Sequence, residues 1–129
     1  LILQKNGDFS LKASLLDSIT TNQVKIANAP LNSQNDLLYH KTTLRAKLPK
    51  NCFDVLYFNQ NNALCEGSRS NLVLLKDGQL KCGMLGGTLR EVLLQCGILK
   101  EQVLLKEDLN GAKIFCINSL RGVVPVELV

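Results

Sequence analysis

The pattern of apolar and polar positions predicts a chain made mainly of short β-strands separated by turns. Residues 54–58 (DVLYF) are the clearest example, because β-branched and aromatic side chains are concentrated there and turn residues follow. Other strands are predicted at residues 1–4, 24–27, 71–75, 79–81, 103–105 and 113–117. Residues 123–126 predict an extended segment at a sheet edge, because Pro125 has no N–H group to donate to a neighbouring strand.

Turn residues between these strands predict two hairpins. Residues 6–8 (NGD) are typical of a hairpin turn after the first strand, and residues 76–78 (KDG) join the two strands on either side of them. The asparagine-rich residues 59–62 predict a turn, and residues 108–111 (DLNG) predict a turn or a single helical turn. Residues 28–36, which contain Pro, Asn and Ser, predict a loop.

One helix is predicted at residues 88–96, where glycines precede the first turn and Gly97 follows the last. Its apolar side chains are expected on one face: Leu89, Val92, Leu93 and Cys96. A second, short helix is predicted after Tyr39 and before Pro49. Strands outnumber helices, and hairpins are combined with a helical crossover. The sequence therefore predicts an α+β (mixed α/β) fold with a mixed sheet, hairpins and few helices.

Length and composition indicate one domain covering residues 1–129. Hydrophobic residues make up 46% of the chain and charged residues 20%, as in soluble globular proteins. The net charge of +4 is scattered, and only two Tyr and four Phe could stack on bases, so a nucleic-acid partner is not expected. No apolar run is long enough to span a bilayer, and no secretory signal is evident. We therefore expect a cytoplasmic protein without membrane contact.

Five cysteines, at positions 52, 65, 82, 96 and 116, are odd in number and widely spaced. No pair forms a Cys-x-x-Cys motif, and the single histidine, His40, cannot complete a usual zinc site with any nearby pair. We expect reduced, mainly buried thiols and no metal site.

Lys41 is the first residue with candidate chemistry. It lies between the apolar residues 37–39 and Leu44, so its amine is expected to be partly desolvated. A desolvated amine loses its proton more readily and can act as a nucleophile or base. A surface lysine near a helix start is the more common interpretation of such a residue taken alone.

Three later segments add candidate binding groups. Glu66, in residues 65–71 (CEGSRSN), could pair with a protonated ring nitrogen, although a turn or capping acid is the commoner role. The glycine-rich residues 83–90 lead into the predicted helix, where backbone amides can bind a phosphate. Residues 117–122 (INSLRG) offer a hydroxyl and a cation after a strand. In this order the four features supply the amine, ring partner and phosphate anchors that pyridoxal 5'-phosphate requires.

The sequence resembles the class IV (fold-type IV) pyridoxal-phosphate-dependent aminotransferase family and is closest to aminodeoxychorismate lyase-like domains. The resemblance is carried by residues 40–45 (HKTTLR), 54–59 (DVLYFN), 66–71 (EGSRSN), 87–90 (GTLR) and 118–122 (NSLRG). It implies the large C-terminal cofactor-binding domain of the D-amino-acid aminotransferase-like fold, without the family's small N-terminal domain. The chain begins at Leu1 rather than Met, as expected for a piece of a longer protein.

The resemblance also implies which residues bind the cofactor. These are Lys41, Glu66, Arg69, Gly87, Thr88, Leu89 and Ser119. Lys41 would bond to the cofactor's aldehyde and move protons at the substrate, as the catalytic residue. Glu66 would keep the pyridine nitrogen protonated, and Arg69 would line the ring through its backbone. The phosphate would be bound by the start of the helix, from its first backbone amides, and by the Ser119 hydroxyl.

The activity implied by the resemblance is conversion of aminodeoxychorismate to 4-aminobenzoate and pyruvate, for folate synthesis. Two alternatives stay open: transamination of a branched-chain or D-amino acid with the same residues, and a non-catalytic isolated domain or partner-binding remnant. The expected partners are a small-molecule amino substrate and a second copy of the chain in a homodimer. A synthase domain or the family's N-terminal domain is a further candidate partner.

Overall fold

The computed structural model of the chain describes residues 1–32, 34 and 47–129. Within them lie ten β-strands, one α-helix and one 3-10 helix. The strands are β1 (Ile2–Leu3), β2 (Phe9–Ser10), β3 (Gln23–Ile26), β4 (Asp54–Phe58), β5 (Leu64–Gly67), β6 (Asn71–Lys76), β7 (Gln79–Cys82), β8 (Lys100–Glu101), β9 (Lys113–Asn118) and β10 (Gly122–Leu128). The helix α1 spans Thr88–Gln95, and the 3-10 helix spans Lys106–Leu109.

Eight of the described strands form one mixed sheet in the order β5-β4-β3-β10-β9-β6-β7-β8, and β1 and β2 form a separate hairpin. The pairs β3–β4, β3–β10 and β7–β8 are parallel, whereas the others are antiparallel. The sheet curls until its ends meet. Ala63 forms a bridge with Leu105, and the Leu64 N–H donates to the Leu104 carbonyl at 2.7 Å. The mixed sheet with few helices confirms the predicted fold class.

The apolar core lies on both faces of the curled sheet, because successive side chains on a strand point to opposite sides. Leu72 and Leu74 of β6 pack inside the curl with residues of β3, β4, β9 and β10. Val73 points the other way and packs with Ile117 beneath α1. Burial on both faces explains why β6 reads as a nearly continuous apolar run rather than an alternating one.

Several local predictions are confirmed. The strand at residues 54–58 is β4, and the predicted turn at residues 76–78 joins β6 to β7. In that turn Asp77 and Gly78 have φ angles of 53° and 73°, the left-handed region that a tight hairpin requires. The predicted helix is α1, and Gly97 follows its end with a φ of 71°.

Two strand predictions were wrong. The strand expected at residues 103–105 lies earlier, at Lys100–Glu101, where the chain pairs with β7. After Glu101 this pairing ends, and the chain crosses towards β5, where Leu105 forms a bridge with Ala63. The segment expected at a sheet edge is β10, which lies between β9 and β3. Its Pro125 is tolerated because β3 pairs only with Glu127 and Leu128, so β9 is the one neighbour in register at the proline.

The predicted apolar face of α1 was also partly wrong. Val92 is 50% exposed and Cys96 is exposed, whereas Leu89 and Leu93 pack towards the sheet as expected. The buried side also includes Arg90, which is only 3% exposed. Leu94 also packs towards the sheet, so the buried face is turned from the predicted one towards Arg90 and Leu94.

The structure agrees with the prediction of reduced, mainly buried thiols, since Cys52, Cys82 and Cys116 are buried and all five cysteines are free. Cys65 is half-buried and Cys96 is exposed. The short helix predicted after Tyr39 and the end of the loop predicted at residues 28–36 lie outside the described residues. None of the helices in the described parts of the chain is long and apolar enough to traverse a lipid bilayer.

Candidate active site

A buried carboxylate organises the loop between β5 and β6. Asp54, the first residue of β4, is 1% exposed and accepts five hydrogen bonds. Backbone N–H groups of Val55, Ser68 and Arg69 donate at 2.8, 2.7 and 3.3 Å, and the hydroxyls of Ser68 and Ser70 donate as well. Because a buried carboxylate is costly without such partners, these bonds hold residues 68–70 against the start of β4.

Gly67 allows this loop to close over the carboxylate. A Cβ at position 67 would overlap the Asp54 Oδ2 atom and stand 2.8 Å from the Ser70 hydroxyl. Asp54 was not among the predicted site residues. Its signal in the sequence is an acid at the head of an otherwise apolar strand, followed by two serines on either side of Arg69.

Glu66 is connected to the start of α1 through Asn71. Glu66 lies in β5 and is half-buried, and Asn71 is the first residue of β6 and is 8% exposed. The Asn71 amide nitrogen donates to the Glu66 Oε1 atom and, at 3.2 Å, to the Leu85 carbonyl. One side chain therefore joins the predicted ring-nitrogen partner to the loop that precedes the helix.

The start of α1 approaches Asn71 closely. Gly87 is the N-cap residue and has extended backbone, with φ of −167°, so its conformation does not itself require glycine. The requirement is steric, because a Cβ there would overlap the Asn71 Oδ1 atom. Among the described residues no side chain caps this helix start. Its first backbone N–H groups, at the exposed Thr88 and half-buried Leu89, therefore form an uncapped positive end of the helix dipole.

A second contact brings Ser119 to the same end of the sheet. Asn118 ends β9, and its amide nitrogen donates to the Arg69 carbonyl at 3.5 Å. Its Oδ1 atom accepts two backbone N–H groups of the following turn, which contains Ser119. In the ladder between β6 and β9, Asn71 is opposite Ile117. The described residues of the predicted site thus lie together around the start of β6 and the end of β9.

Arg90 attaches α1 to the sheet. Its Nε donates to the Gly83 carbonyl at 2.9 Å, and its guanidinium forms an ion pair with Glu101 of β8. Burial opposes the charge of Arg90, but the hydrogen bonds and charges of Glu101 and Cys82 together outweigh it, and the pKa of Arg90 is raised. Arg90 therefore supports the helix start from the sheet side.

Two thiols near this region, those of Cys65 and Cys82, have raised pKa values. Burial raises the pKa of Cys65, and the neighbouring Glu66 charge raises it further. Burial also raises the pKa of Cys82, although Arg90 opposes the shift. A protonated thiol reacts slowly, so these shifts do not favour either cysteine as a nucleophile.

Lys41 and the rest of residues 40–45 lie outside the described residues. A separate open groove of about 610 Å³ runs along β9 and β10 beside Lys113 and Glu127. Its lining includes none of the predicted site residues, so it is not the candidate active site.

Known proteins resemble this chain over most of its length. The family model described as amino-transferase class IV matches residues 10–129. A Thermotoga maritima protein assigned as a branched-chain-amino-acid aminotransferase is 33% identical over 86 residues, which cover 58% of this chain and 32% of that protein. The chain thus spans about a third of the length of the curated relative that it matches.

Solved structures share the fold. A protein from Mesorhizobium loti assigned as an amino-acid aminotransferase is 32% identical with a TM-score of 0.75, over 98% of this chain and 70% of that chain. The 4-amino-4-deoxychorismate lyase of Pseudomonas aeruginosa is 26% identical with a TM-score of 0.56, over 64% of this chain and 34% of that chain. The predicted resemblance is confirmed: this chain belongs to the class IV aminotransferase family, whose members depend on pyridoxal 5'-phosphate.

Proposed function

We propose that this chain binds pyridoxal 5'-phosphate between the start of α1 and the Glu66 carboxylate, and acts on the amino group of a small substrate. The observation that carries the proposal is the contact of Asn71 with both Glu66 and Gly87, which brings a carboxylate beside an uncapped helix start. A carboxylate and an anion site held near each other match the two polar ends of the cofactor, its ring nitrogen and its phosphate.

The residues at the phosphate end fit the cofactor. At Gly87 the missing Cβ leaves the backbone close to Asn71, and the helix that follows has no side-chain cap. The backbone N–H groups of Thr88 and Leu89 would donate to phosphate oxygens, favoured by the helix dipole. The Ser119 hydroxyl would donate from the neighbouring turn.

At the ring end, Glu66 would pair with the N–H of the pyridine ring and so keep that proton in place, while Arg69 would line the ring through its backbone. Bound pyridoxal 5'-phosphate supplies an electron sink for negative charge on the substrate carbon that carries the amine. Lys41 would bond to the cofactor in the resting protein. Once the substrate amine has replaced it there, the released Nζ atom would accept and return protons at the substrate carbons. The role proposed for Lys41 rests on the sequence of residues 40–45 and on family membership.

For the substrate, we propose aminodeoxychorismate, converted to 4-aminobenzoate and pyruvate. This proposal is supported by the lyase-like blocks at residues 40–45 and 66–71 and by the 26% identity with the Pseudomonas aeruginosa lyase. Amino transfer is the second candidate. The relatives with 33% and 32% identity are assigned as aminotransferases, which is the observation in its favour.

Covalent trapping tests the cofactor proposal. The protein is mixed with pyridoxal 5'-phosphate, reduced with borohydride, digested and mapped by mass spectrometry. The adduct is expected on Lys41, lost in Lys41→Ala and retained in Lys50→Ala, which removes an exposed lysine. Adduct spread evenly over surface lysines, or none in a folded sample, would contradict the proposal and support a non-catalytic domain.

The two activities are separated by their products. The lyase proposal predicts that aminodeoxychorismate yields equal amounts of pyruvate and 4-aminobenzoate without any added keto acid. Amino transfer instead requires a keto acid and converts it to an amino acid. Turnover that depends on added keto acid, with no pyruvate released from aminodeoxychorismate, would reject the lyase and favour the second candidate.

A further inference from the structure

We propose that Asn71 is a positioning residue that sets the separation between the ring end and the phosphate end of the cofactor site. The inference rests on the proposed function and deepens it. It assigns Asn71 no contact with the cofactor. Instead, Asn71 fixes the distance between the two groups that bind opposite ends of the same rigid ligand.

The amide of Asn71 has no spare donor. Its two N–H groups are directed at the Glu66 Oε1 atom and the Leu85 carbonyl, which belong to different segments. Its Oδ1 atom lies against the Gly87 backbone, at a distance that excludes any Cβ. Three segments that the sequence separates by up to 21 positions (87 − 66) therefore meet at one side chain.

The side chain is itself firmly held. Asn71 is 8% exposed, and its backbone belongs to β6, where it pairs with Ile117 in the centre of the sheet. A group anchored in a rigid strand can position its neighbours more accurately than one on a loop. Glu66 belongs to β5, at one end of the strand order, and Gly87 follows a loop, whereas β6 lies between two neighbouring strands. Asn71 is therefore the fixed point from which both are placed.

Asparagine is the residue type that this position requires. Aspartate has the same shape but would present an acceptor to the Leu85 carbonyl and a second negative charge to Glu66. Serine and alanine cannot span the three partners. Loss of the amide should therefore leave each end of the site formed but no longer fixed relative to the other.

This distinction gives a test with three probes. Pyridoxal 5'-phosphate engages both ends, pyridoxamine only the ring end, and inorganic phosphate only the helix end. In Asn71→Ala we expect the dissociation constant of pyridoxal 5'-phosphate to rise at least tenfold by calorimetry. The constants of the two partial ligands should each change less than threefold. Asn61→Ala, which removes an exposed turn asparagine, is the matched control and should change none of them.

Two results would overturn the proposal. One is an unchanged affinity for pyridoxal 5'-phosphate in Asn71→Ala. The other is an equal loss of affinity for all three probes, which would indicate general damage to the site rather than a changed distance between its two ends. If the wild-type chain binds pyridoxal 5'-phosphate nowhere, the proposed function fails first, and that failure is recognised before any variant is compared.

A second test does not depend on the cofactor. Gly87→Ala should lower the folding equilibrium constant at least tenfold, because its Cβ overlaps the Asn71 Oδ1 atom. In an Asn71→Ala background, Gly87→Ala should lower the folding equilibrium constant less than threefold. Gly86→Ala is the control, since a Cβ there meets nothing within 4 Å. Equal costs of Gly87→Ala in the two backgrounds, measured by urea unfolding, would show that Asn71 does not contact the helix start and would refute the proposal.

Discussion

At the scale of single residues, two buried polar side chains shape the candidate site. Asp54 and Asn71 are nearly inaccessible, and each connects segments that are distant in the sequence. Their hydrogen bonds are directional, so they define distances that apolar packing alone leaves adjustable. Glu66 and Arg69 lie between these two anchors in the chain.

Replacing the Asp54 carboxylate should destabilise the protein more than its size suggests. Asp54→Asn keeps the shape but turns an N–H₂ group towards the donors of Ser68 or Ser70. We expect a loss of about 3 kcal/mol in the free energy of unfolding, measured with urea. Asp77→Asn, in an exposed hairpin turn where asparagine adopts the same positive φ, should change stability by less than about 0.5 kcal/mol. Equal stability of the two variants would show that the hydrogen bonds of Asp54 contribute little.

The cysteines should differ sharply in reactivity. Burial raises the pKa of the Cys116 thiol to about 12, despite a hydrogen bond with Ser70 that lowers it, whereas Cys96 is exposed on α1. Thiolate is the reactive form, so we expect Cys96 to react fast with a thiol reagent and Cys116 to react only after unfolding. The fast phase should disappear in Cys96→Ser. A fast phase that persists in Cys96→Ser would show that another thiol, not Cys96, reacts fast.

At the scale of elements, α1 depends on its contacts with the sheet. The helix has eight residues, too few to be stable alone in water. Leu89 and Leu93 pack on β6 and β9, and the ion pair of Arg90 with Glu101 fixes its first turn to β8. The position of the proposed phosphate site is therefore a property of the helix and the sheet together.

Removal of the Arg90 charge should loosen this helix. Arg90→Met keeps the apolar stem but leaves the Gly83 carbonyl and the Glu101 carboxylate without their partner. We expect a loss of about 2 kcal/mol, because Glu101 is partly exposed and regains water. Amide hydrogen exchange in α1 should accelerate, whereas Lys100→Met, at an exposed neighbouring position, should have no such effect. Unchanged exchange in the Arg90 variant would show that packing alone holds the helix.

At the scale of the whole molecule, the closure of the sheet depends on a short seam. The Leu64 N–H donates to the Leu104 carbonyl at 2.7 Å, and the Lys106 N–H donates to the Asn62 carbonyl at 3.0 Å. Asp108 supports the seam by accepting the Leu105 N–H at 2.9 Å and by pairing with Lys76 at 3.3 Å. The seam joins two ends of the sheet that are some forty residues apart in the chain.

Stability should depend on pH through this seam. The hydrogen bond from Leu105, together with Lys76, lowers the pKa of Asp108 below its ordinary value. A lowered folded-state pKa stabilises the protein at pH above the unfolded-state pKa, and this stabilisation is lost as pH falls through the folded-state value. We expect Asp108→Asn to cost about 1 kcal/mol at neutral pH and almost nothing in strong acid, by urea unfolding.

Asp8→Asn is the matched control for the pH series, because Asp8 lies in the exposed β1–β2 hairpin. Its stability difference from the wild type should be small at every pH. A cost of Asp108→Asn that stays constant down to strong acid would mean that the carboxylate charge is not what stabilises the seam.

The sequence by itself determined the local elements and the family. The strand at residues 54–58, the turn at residues 76–78 and the helix from Thr88 follow from side-chain and backbone preferences that act over a few positions. The order of the site motifs identified the class IV aminotransferases, which the family match confirmed. The functions assigned to Lys41, Glu66 and Ser119 stay predictions, and Lys41 lies outside the described residues.

Only the tertiary structure decided how distant segments meet. The contact of Asp54 with Ser68 and that of Asn71 with Leu85 each join residues 14 positions apart, and the central position of β10 depends on its pairing with β3 and β9. The buried face of α1 combines Leu89, Leu93 and Leu94 with the charged Arg90, whose partner Glu101 lies in β8. Periodicity reports which side chains prefer burial, but a buried charge or amide is placed by the particular group that satisfies it, and that group is known only when the chain has folded.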